Sequence, residues 1–350
     1  MIKNILLIFF YFYTIDSYLL KLYMHDNKNF NMLPLYRYWN CVGFQKDIKN
    51  NKPYKFNVGE IPLVAWKDNN NNYISTLNAC KHMGSRLDDG LICNGNLYCP
   101  YHGLKHTYED KCGDIKIYDG KIWWAYKPIQ NKIPTIPFMN SKKYSTSYLK
   151  IDMEEDIPFC IYNSLDLNHP EFVHNGLGFG SSIAPENYKY YIDNINKTAI
   201  SFDYITKNSI KAINYHMKIE NKTINYNEVI YPITSWSKVT SINDINKNII
   251  IGVSMQPLEE NLTRWYITLR HNYMTDFIGK KIMVEATKYI LNQDKKQFSK
   301  QIKNKNLKKF ISWRKALKYE NHMKTLKEHF NNYQYPKIND FINDLYIDKW

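Results

Sequence analysis

Two short segments, Cys80-Lys81-His82 and Cys99-Pro100-Tyr101-His102-Gly103, constrain this 350-residue chain more than any other feature. Sixteen residues separate them. Thiolate and imidazole are the side chains that bind iron and zinc well, and each pair is close enough for one tight loop to present both groups to a common centre. Gly84, Gly90, Gly95 and Gly103 permit the sharp turns that such loops need. Two loops of one Cys and one His each suit a two-iron cluster, with the cysteines on one iron and the histidines on the other. Zinc is the alternative, although zinc more often recruits CxxC knuckles, which a CxH pair fits poorly. The chain has six cysteines, too few for a disulfide-stapled scaffold of this length. Cys41, Cys93, Cys112 and Cys160 read as ordinary residues.

The segments lie in strand-like sequence. Tyr38 to Phe44, Leu63 to Trp66, Tyr73 to Leu77, Gly95 to Cys99, Lys116 to Tyr118 and Ile122 to Tyr126 are rich in aromatic or β-branched residues, with Gly, Asp and Asn clusters between them. This predicts a small antiparallel β domain over residues 31–135, ending in a linker marked by Pro128, Pro134 and Pro137. Residues 136–350 read as mixed. A helical stretch from Phe159 to His174 precedes strand-like segments at Ala199 to Ile205, Tyr226 to Ile233, Ile249 to Met255 and Thr263 to Arg270, and a long helix runs from about Asp276 to Lys300. The expected fold class is α+β: an all-β domain, then an antiparallel sheet flanked by helices.

A second constellation lies in Asn163-Ser164-Leu165-Asp166-Leu167-Asn168-His169-Pro170-Glu171-Phe172-Val173-His174. Two His five residues apart on a straight helix stand ~500° apart around its axis, which leaves their side chains about 140° from each other and unable to reach one ion. A shared ion therefore requires a break, and Pro170, which lacks an N–H and clashes with the preceding turn, is a natural cause. Two His also need a carboxylate to complete a facial triad. Asp294 is the candidate, because its helix face carries Met283, Ala286, Ile290 and Phe298, with Gln297 and Gln301 nearby. A carboxylate on an apolar face needs a cation. Glu285 shares its face with Lys281, Lys288 and Asn292 and reads as solvated.

With CxH, a sixteen-residue spacer and CPYHG, the first constellation resembles the Rieske 2Fe-2S domain. Followed by DxxHxxxxH, the chain resembles the Rieske non-haem iron oxygenases, in their monooxygenase and demethylase branch. Ser85 and Tyr101 hold the places of the two further cysteines of respiratory Rieske proteins, so that branch's disulfide cannot form. Leu104 and His106 depart from the Trp and aromatic residue common in oxygenases after CPYHG. The resemblance implies cluster ligation by Cys80, His82, Cys99 and His102, and a mononuclear Fe(II) on His169, His174 and Asp294. It implies a bridging role for Asp166, between a Rieske histidine of one subunit and His169 of the next in a head-to-tail homotrimer, with Asn163 beside it. It further implies O2, a small organic substrate, and electrons drawn from NAD(P)H through a separate ferredoxin or flavin reductase. An electron-transfer Rieske protein and a zinc-stabilised binding module are the competing readings.

Lys and Arg total 47 against 33 Asp and Glu, a net charge of 47 − 33 = +14. Runs of Asn, Lys and Ile suggest base-composition bias in the gene, so this charge carries little functional weight. The Lys-rich stretch from 295 to 327 reads as exposed helix with no nucleic-acid-binding module, and an acidic electron donor is its functional alternative. Residues 1–30 hold an apolar run from Ile5 to Tyr13, too short to span a bilayer and without a small-residue cleavage site, expected to target or anchor the chain to a membrane. Clusters are assembled in reducing surroundings, so cytoplasm or a plastid-like organelle is expected and secretion is not.

Overall fold

In the computed structural model, residues 33–49, 51–166, 169–174, 187–193, 199–206, 223–230, 232–241, 244–301, 330 and 333–349 are described. The N-terminal apolar run and the basic stretch beyond 301 lie outside them. No helix among the described residues is long and apolar enough to cross a membrane.

The first part is built from β1 (Asn40–Phe44), β2 (Tyr54–Val58), β3 (Ile61–Lys67), β4 (Tyr73–Leu77), β5 (Leu91–Cys93), β6 (Asn96–Tyr98), β7 (Lys105–His106), β8 (Asp114–Tyr118) and β9 (Lys121–Ala125). They form three antiparallel sheets of three strands each, ordered β1-β9-β8, β2-β3-β4 and β5-β6-β7. All five residues of β9 are buried, which explains why Ile122, Trp123 and Trp124 follow one another without polar alternation. The Trp124 indole donates to Ser75 Oγ at 3.1 Å, so its buried N–H is satisfied. The small sheet β5-β6-β7 matters most for function, because it carries one metal loop on each side.

The second part centres on a seven-stranded antiparallel sheet in the order β10-β16-β15-β14-β13-β12-β11. Its strands are β10 (Ser145–Met153), β11 (Asn187–Asp193), β12 (Ala199–Thr206), β13 (Thr223–Ile230), β14 (Thr234–Ser241), β15 (Asn248–Glu259) and β16 (Leu262–His271). Helices α1 (Ile157–Leu165), α2 (His169–Val173) and α3 (Phe277–Ser299) accompany it. Asp156 caps α1 by accepting from the Phe159 N–H at 2.9 Å, and Asp276 caps α3 through the Gly279 N–H at 2.9 Å. The buried stripe of α3 is Gly279, Met283, Thr287, Leu291, Asp294 and Phe298, a helical repeat in which Asp294 is the one acid. The face is therefore rotated from the expected one, with Thr287 and Leu291 at its centre and Ala286 and Ile290 at its edge. Glu285 is exposed and paired with Lys288 at 2.8 Å, as its neighbours suggest.

The helical stretch from Phe159 to His174 is two helices. The break lies ahead of His169, and Pro170 sits in the first turn of α2, where a missing N–H costs nothing, rather than kinking a continuous helix.

The two parts are locked together by buried polar groups. Asp119, on the turn between β8 and β9, pairs with Arg270 of β16, whose guanidinium also donates to the carbonyls of Ile136 and Pro137 in the linker, each at 2.9 Å. Burial pushes the Asp119 carboxyl up against the pull of Arg270 and Lys121. Lys121 Nζ reaches Ser254 Oγ at 3.2 Å, and Phe44 meets Tyr266 edge-on at 5.2 Å. The chain's last helix, α4 (Ile338–Lys349), returns to the first part. Phe341 is fully buried against Tyr36, Trp124 and Tyr126, and the Tyr36 hydroxyl donates to Asp344 at 2.6 Å. Burying that ring contributes roughly 1.5–3 kcal/mol.

Candidate metal centres

The two Cys/His loops have the same backbone. In the first, the Cys80 N–H donates to the Ser85 carbonyl at 2.8 Å and the Gly84 N–H to the Cys80 carbonyl at 2.7 Å. In the second, Cys99 N–H to Leu104 is 2.9 Å and Gly103 N–H to Cys99 is 3.0 Å. Gly84 and Gly103 hold φ of +72° and +69°, the left-handed conformation that closes each knuckle and favours glycine. Each cysteine sulfur faces the backbone N–H groups two and three residues on: His82 and Met83 for Cys80, Tyr101 and His102 for Cys99. Such a nest of donors suits an anionic sulfur. The two thiols are buried and hydrogen-bond to each other, burial pushing Cys80 up. His82 and His102 are exposed, with ring centroids 5.1 Å apart. The quartet thus divides into an inner sulfur pair and an outer imidazole pair.

The second constellation converges on a point. His169 Nε2 lies 3.5 Å and His174 Nε2 3.6 Å from Asp294 Oδ1, and the three donor atoms all lie within 4.8 Å of one another. The break before α2 accomplishes this, placing His169 at the helix start and His174 just past its end. Each ring is oriented from behind. His169 Nδ1 contacts the Asp166 carbonyl at 3.0 Å, and His174 Nδ1 contacts Gln293 Oε1 at 3.2 Å. Both partners are acceptors, so each Nδ1 carries the proton and each Nε2 lone pair faces the centre. Asp166 also accepts the His169 N–H through Oδ1 at 3.2 Å, and its own N–H donates to the carbonyl of Asn163 at 3.3 Å in the last turn of α1. Gln293 was not evident from the sequence, where only its place beside Asp294 hinted at a role. Tyr162, Met255 and Trp265 are core, packed with Leu291 and Phe298.

Residues 38–120 match the family described as the Rieske [2Fe-2S] domain. The oxygenase component of 3-ketosteroid-9-alpha-monooxygenase from Rhodococcus rhodochrous is 35% identical over 80 residues, 23% of this chain and 20% of that protein. The oxygenase component of dicamba O-demethylase from Stenotrophomonas maltophilia is 32% identical over 160 residues, 39% of this chain and 46% of the relative. The chain spans about a fifth of the length of the first curated relatives it matches. The crystal structure of dicamba monooxygenase bound to dicamba superposes with a TM-score of 0.70 at 13% identity, covering 85% of this chain and 98% of that one. The chain contains a Rieske [2Fe-2S] domain and shares the fold of the dicamba monooxygenase structure.

A Rieske domain implies a 2Fe-2S cluster, and the loops fit one: two buried sulfurs ringed by backbone donors, with two imidazoles outside them. The second site fits a cation. Asp294 Oδ1 is buried without a hydrogen-bond partner, because 3.5 and 3.6 Å are long for hydrogen bonds to the two rings. Two imidazoles and one carboxylate, with positions left open, are the donor set of a non-haem ferrous centre.

The acid behaviour of the triad carries a prediction. Burial works against charge on His169, but Asp294 and Asp166 outweigh it and hold the ring above its ordinary range, whereas burial pushes His174 down to about 4. Below the His169 pKa the metal-free ring carries a second proton, on Nε2 facing Asp294, and a cation must displace it. The raised value means that acid favours the protonated form, so affinity falls as pH drops through it. Fe(II) titrations between pH 8 and 6 should show affinity weakening by up to about tenfold per pH unit, reaching that slope below the His169 pKa, with about one proton released per ion bound there. A pH-independent affinity would contradict the assignment.

Proposed function

We propose that this Rieske protein is the oxygenase component of a multi-part enzyme. It receives electrons singly from a ferredoxin or flavin reductase, drawn ultimately from NAD(P)H, and with O2 hydroxylates, demethylates or ring-opens a small organic substrate. The observation that carries the reading is the convergence of His169 Nε2, His174 Nε2 and Asp294 Oδ1, since a chain that only moved electrons has no use for a second metal site. The names of its relatives, a ketosteroid monooxygenase and a dicamba demethylase, support an organic ring compound as the substrate class. When bound, the cluster on Cys80, His82, Cys99 and His102 supplies single electrons, and a ferrous ion on His169, His174 and Asp294 supplies a site for dioxygen.

The chain's own residues do the rest. Gln293 and the Asp166 carbonyl fix the ring orientations, and Asp294 balances the charge of the ion. Asp166 is half-buried, with its carboxylate 3.9 Å from His169 Nδ1, which places a charged group behind a candidate metal ligand. Around the exposed cluster histidines, Met83 and Tyr101 are 66% and 63% exposed, an apolar rim suited to burial against another protein surface. These two features support a head-to-tail homotrimer in which His102 of one copy meets Asp166 of the next, and Asn163 steadies that contact from α1.

The test is single turnover. Protein with its cluster chemically reduced is mixed with O2 and a panel of vanillate-like aromatics, chlorophyll derivatives, sterols and quaternary amines. One class should accelerate cluster oxidation and yield an oxygenated product. Oxidation at the substrate-free rate across the whole panel, without product, would remove the oxygenase reading.

A further inference from the structure

Each cluster-loop sulfur has a third donor besides its two backbone N–H groups, and the two differ. For Cys99 it is the Ser85 hydroxyl. For Cys80 it is His106, whose Nε2 lies 3.4 Å from the sulfur. His106 closes β7, the short strand that follows the second loop, and its side chain is only 2% exposed. An acid flanks the ring on its other side. Nδ1 lies 3.6 Å from Asp110 Oδ2, and that carboxylate accepts the Thr107 N–H at 2.9 Å and pairs with Lys81 at 2.7 Å. Lys81 is the residue between Cys80 and His82, so the network returns to the first metal loop. No step of the proposed reaction uses His106.

We propose that His106 is a positioning residue that sets the reduction potential of the cluster through Cys80. This rests on the cluster reading above. A cysteine sulfur bound to iron carries no proton, so the 3.4 Å contact can only be His106 Nε2–H donating to sulfur. Hydrogen bonds to the sulfurs are one of the levers that set an iron–sulfur potential. The added electron raises the negative charge on the sulfurs, so a donor aimed at one of them stabilises the reduced state more than the oxidised state. The contact lies at a position where water cannot substitute for it, because both the ring and the sulfur are buried. Asp110, itself held by Lys81 and the Thr107 N–H, flanks the ring 3.6 Å from Nδ1 on the side away from the sulfur. The effect falls on one side of the cluster, since Ser85 serves the other cysteine.

The experiment is redox titration of full-length wild type and three variants, followed by visible and EPR spectroscopy. His106→Phe and His106→Leu remove the donor and keep an apolar filling, and His106→Gln keeps an N–H near the same place. The Phe and Leu variants should retain a Rieske spectrum, with the ratio of reduced to oxidised cluster at a fixed poise falling roughly tenfold, equivalent to ~59 mV for one electron. The Gln variant should stay near wild type. An unchanged potential in either donor-free variant, or an equal fall in Gln, overturns the proposal. So does loss of the cluster from both donor-free variants, which would make His106 a packing residue of the loop. A wild type without a Rieske spectrum would instead remove the cluster reading beneath it.

Discussion

Replacing His169 by Ala should lower the iron content from three atoms per chain to two while leaving the visible Rieske spectrum intact, and should reduce substrate turnover to background. The reason is the separation of the two donor sets. His169 contributes one Nε2 to a centre built with His174 and Asp294, and all three lie outside the two Cys/His loops in the sequence. With one imidazole gone, an Nε2 and a carboxylate oxygen remain, too few protein ligands to keep Fe(II) against water. Folding should survive, because the ring stands at the start of a five-residue helix and is partly exposed. Metal analysis with spectroscopy on the same sample reads the result. Loss of cluster and mononuclear iron together would mean that the two sites are not independent.

Asp166→Asn should give the opposite pattern: both centres loaded, yet turnover lower by roughly 100-fold, the upper range for partners standing behind a metal ligand. The substitution spares what holds the site. The contact to His169 Nδ1 comes from the Asp166 backbone carbonyl, and an amide oxygen can still accept the His169 N–H that Oδ1 accepts now. Only the charge is removed, together with its capacity to accept a proton-bearing nitrogen on each side. Reduction of the cluster by the reductase should keep its rate, and the step from cluster to substrate chemistry should slow. Rapid mixing separates the two phases. Full turnover in this variant would assign the route between centres elsewhere.

The four Cys and His of the two loops and the two His of the second site were legible as candidate ligands because their spacing is local. A CxH or CPYH loop places its ligands by spacing alone, and the need for a break before His174 followed from helix geometry. The position of the break did not follow, because Pro170 is as compatible with starting a helix as with bending one. Asp294 was legible as an acid on a buried helical face, although the exact face was misjudged by the width of one residue. What sequence concealed was set by distant contacts. Strand β10, Ser-Thr-Ser-Tyr-Leu-Lys-Ile-Asp-Met, lacks clean alternation and is a strand because it pairs over its whole length with β16. Helix α4 is placed by Phe341, which packs among Tyr36, Trp124 and Tyr126, more than two hundred residues away in the chain. Gln293 and His106 touch candidate ligands that only folding brings near them. The positive charge, ambiguous in the sequence, is concentrated in a stretch outside the described residues.

Whether one chain holds two kinds of iron is read from metal content and spectroscopy on anaerobically reconstituted wild-type protein. The account predicts three irons per chain, two acid-labile sulfides, a visible Rieske spectrum and a separate high-spin ferrous signal that the His169→Ala variant lacks. Two irons per chain with no ferrous signal would contradict it in favour of an electron-transfer protein, and a colourless protein containing zinc would contradict both.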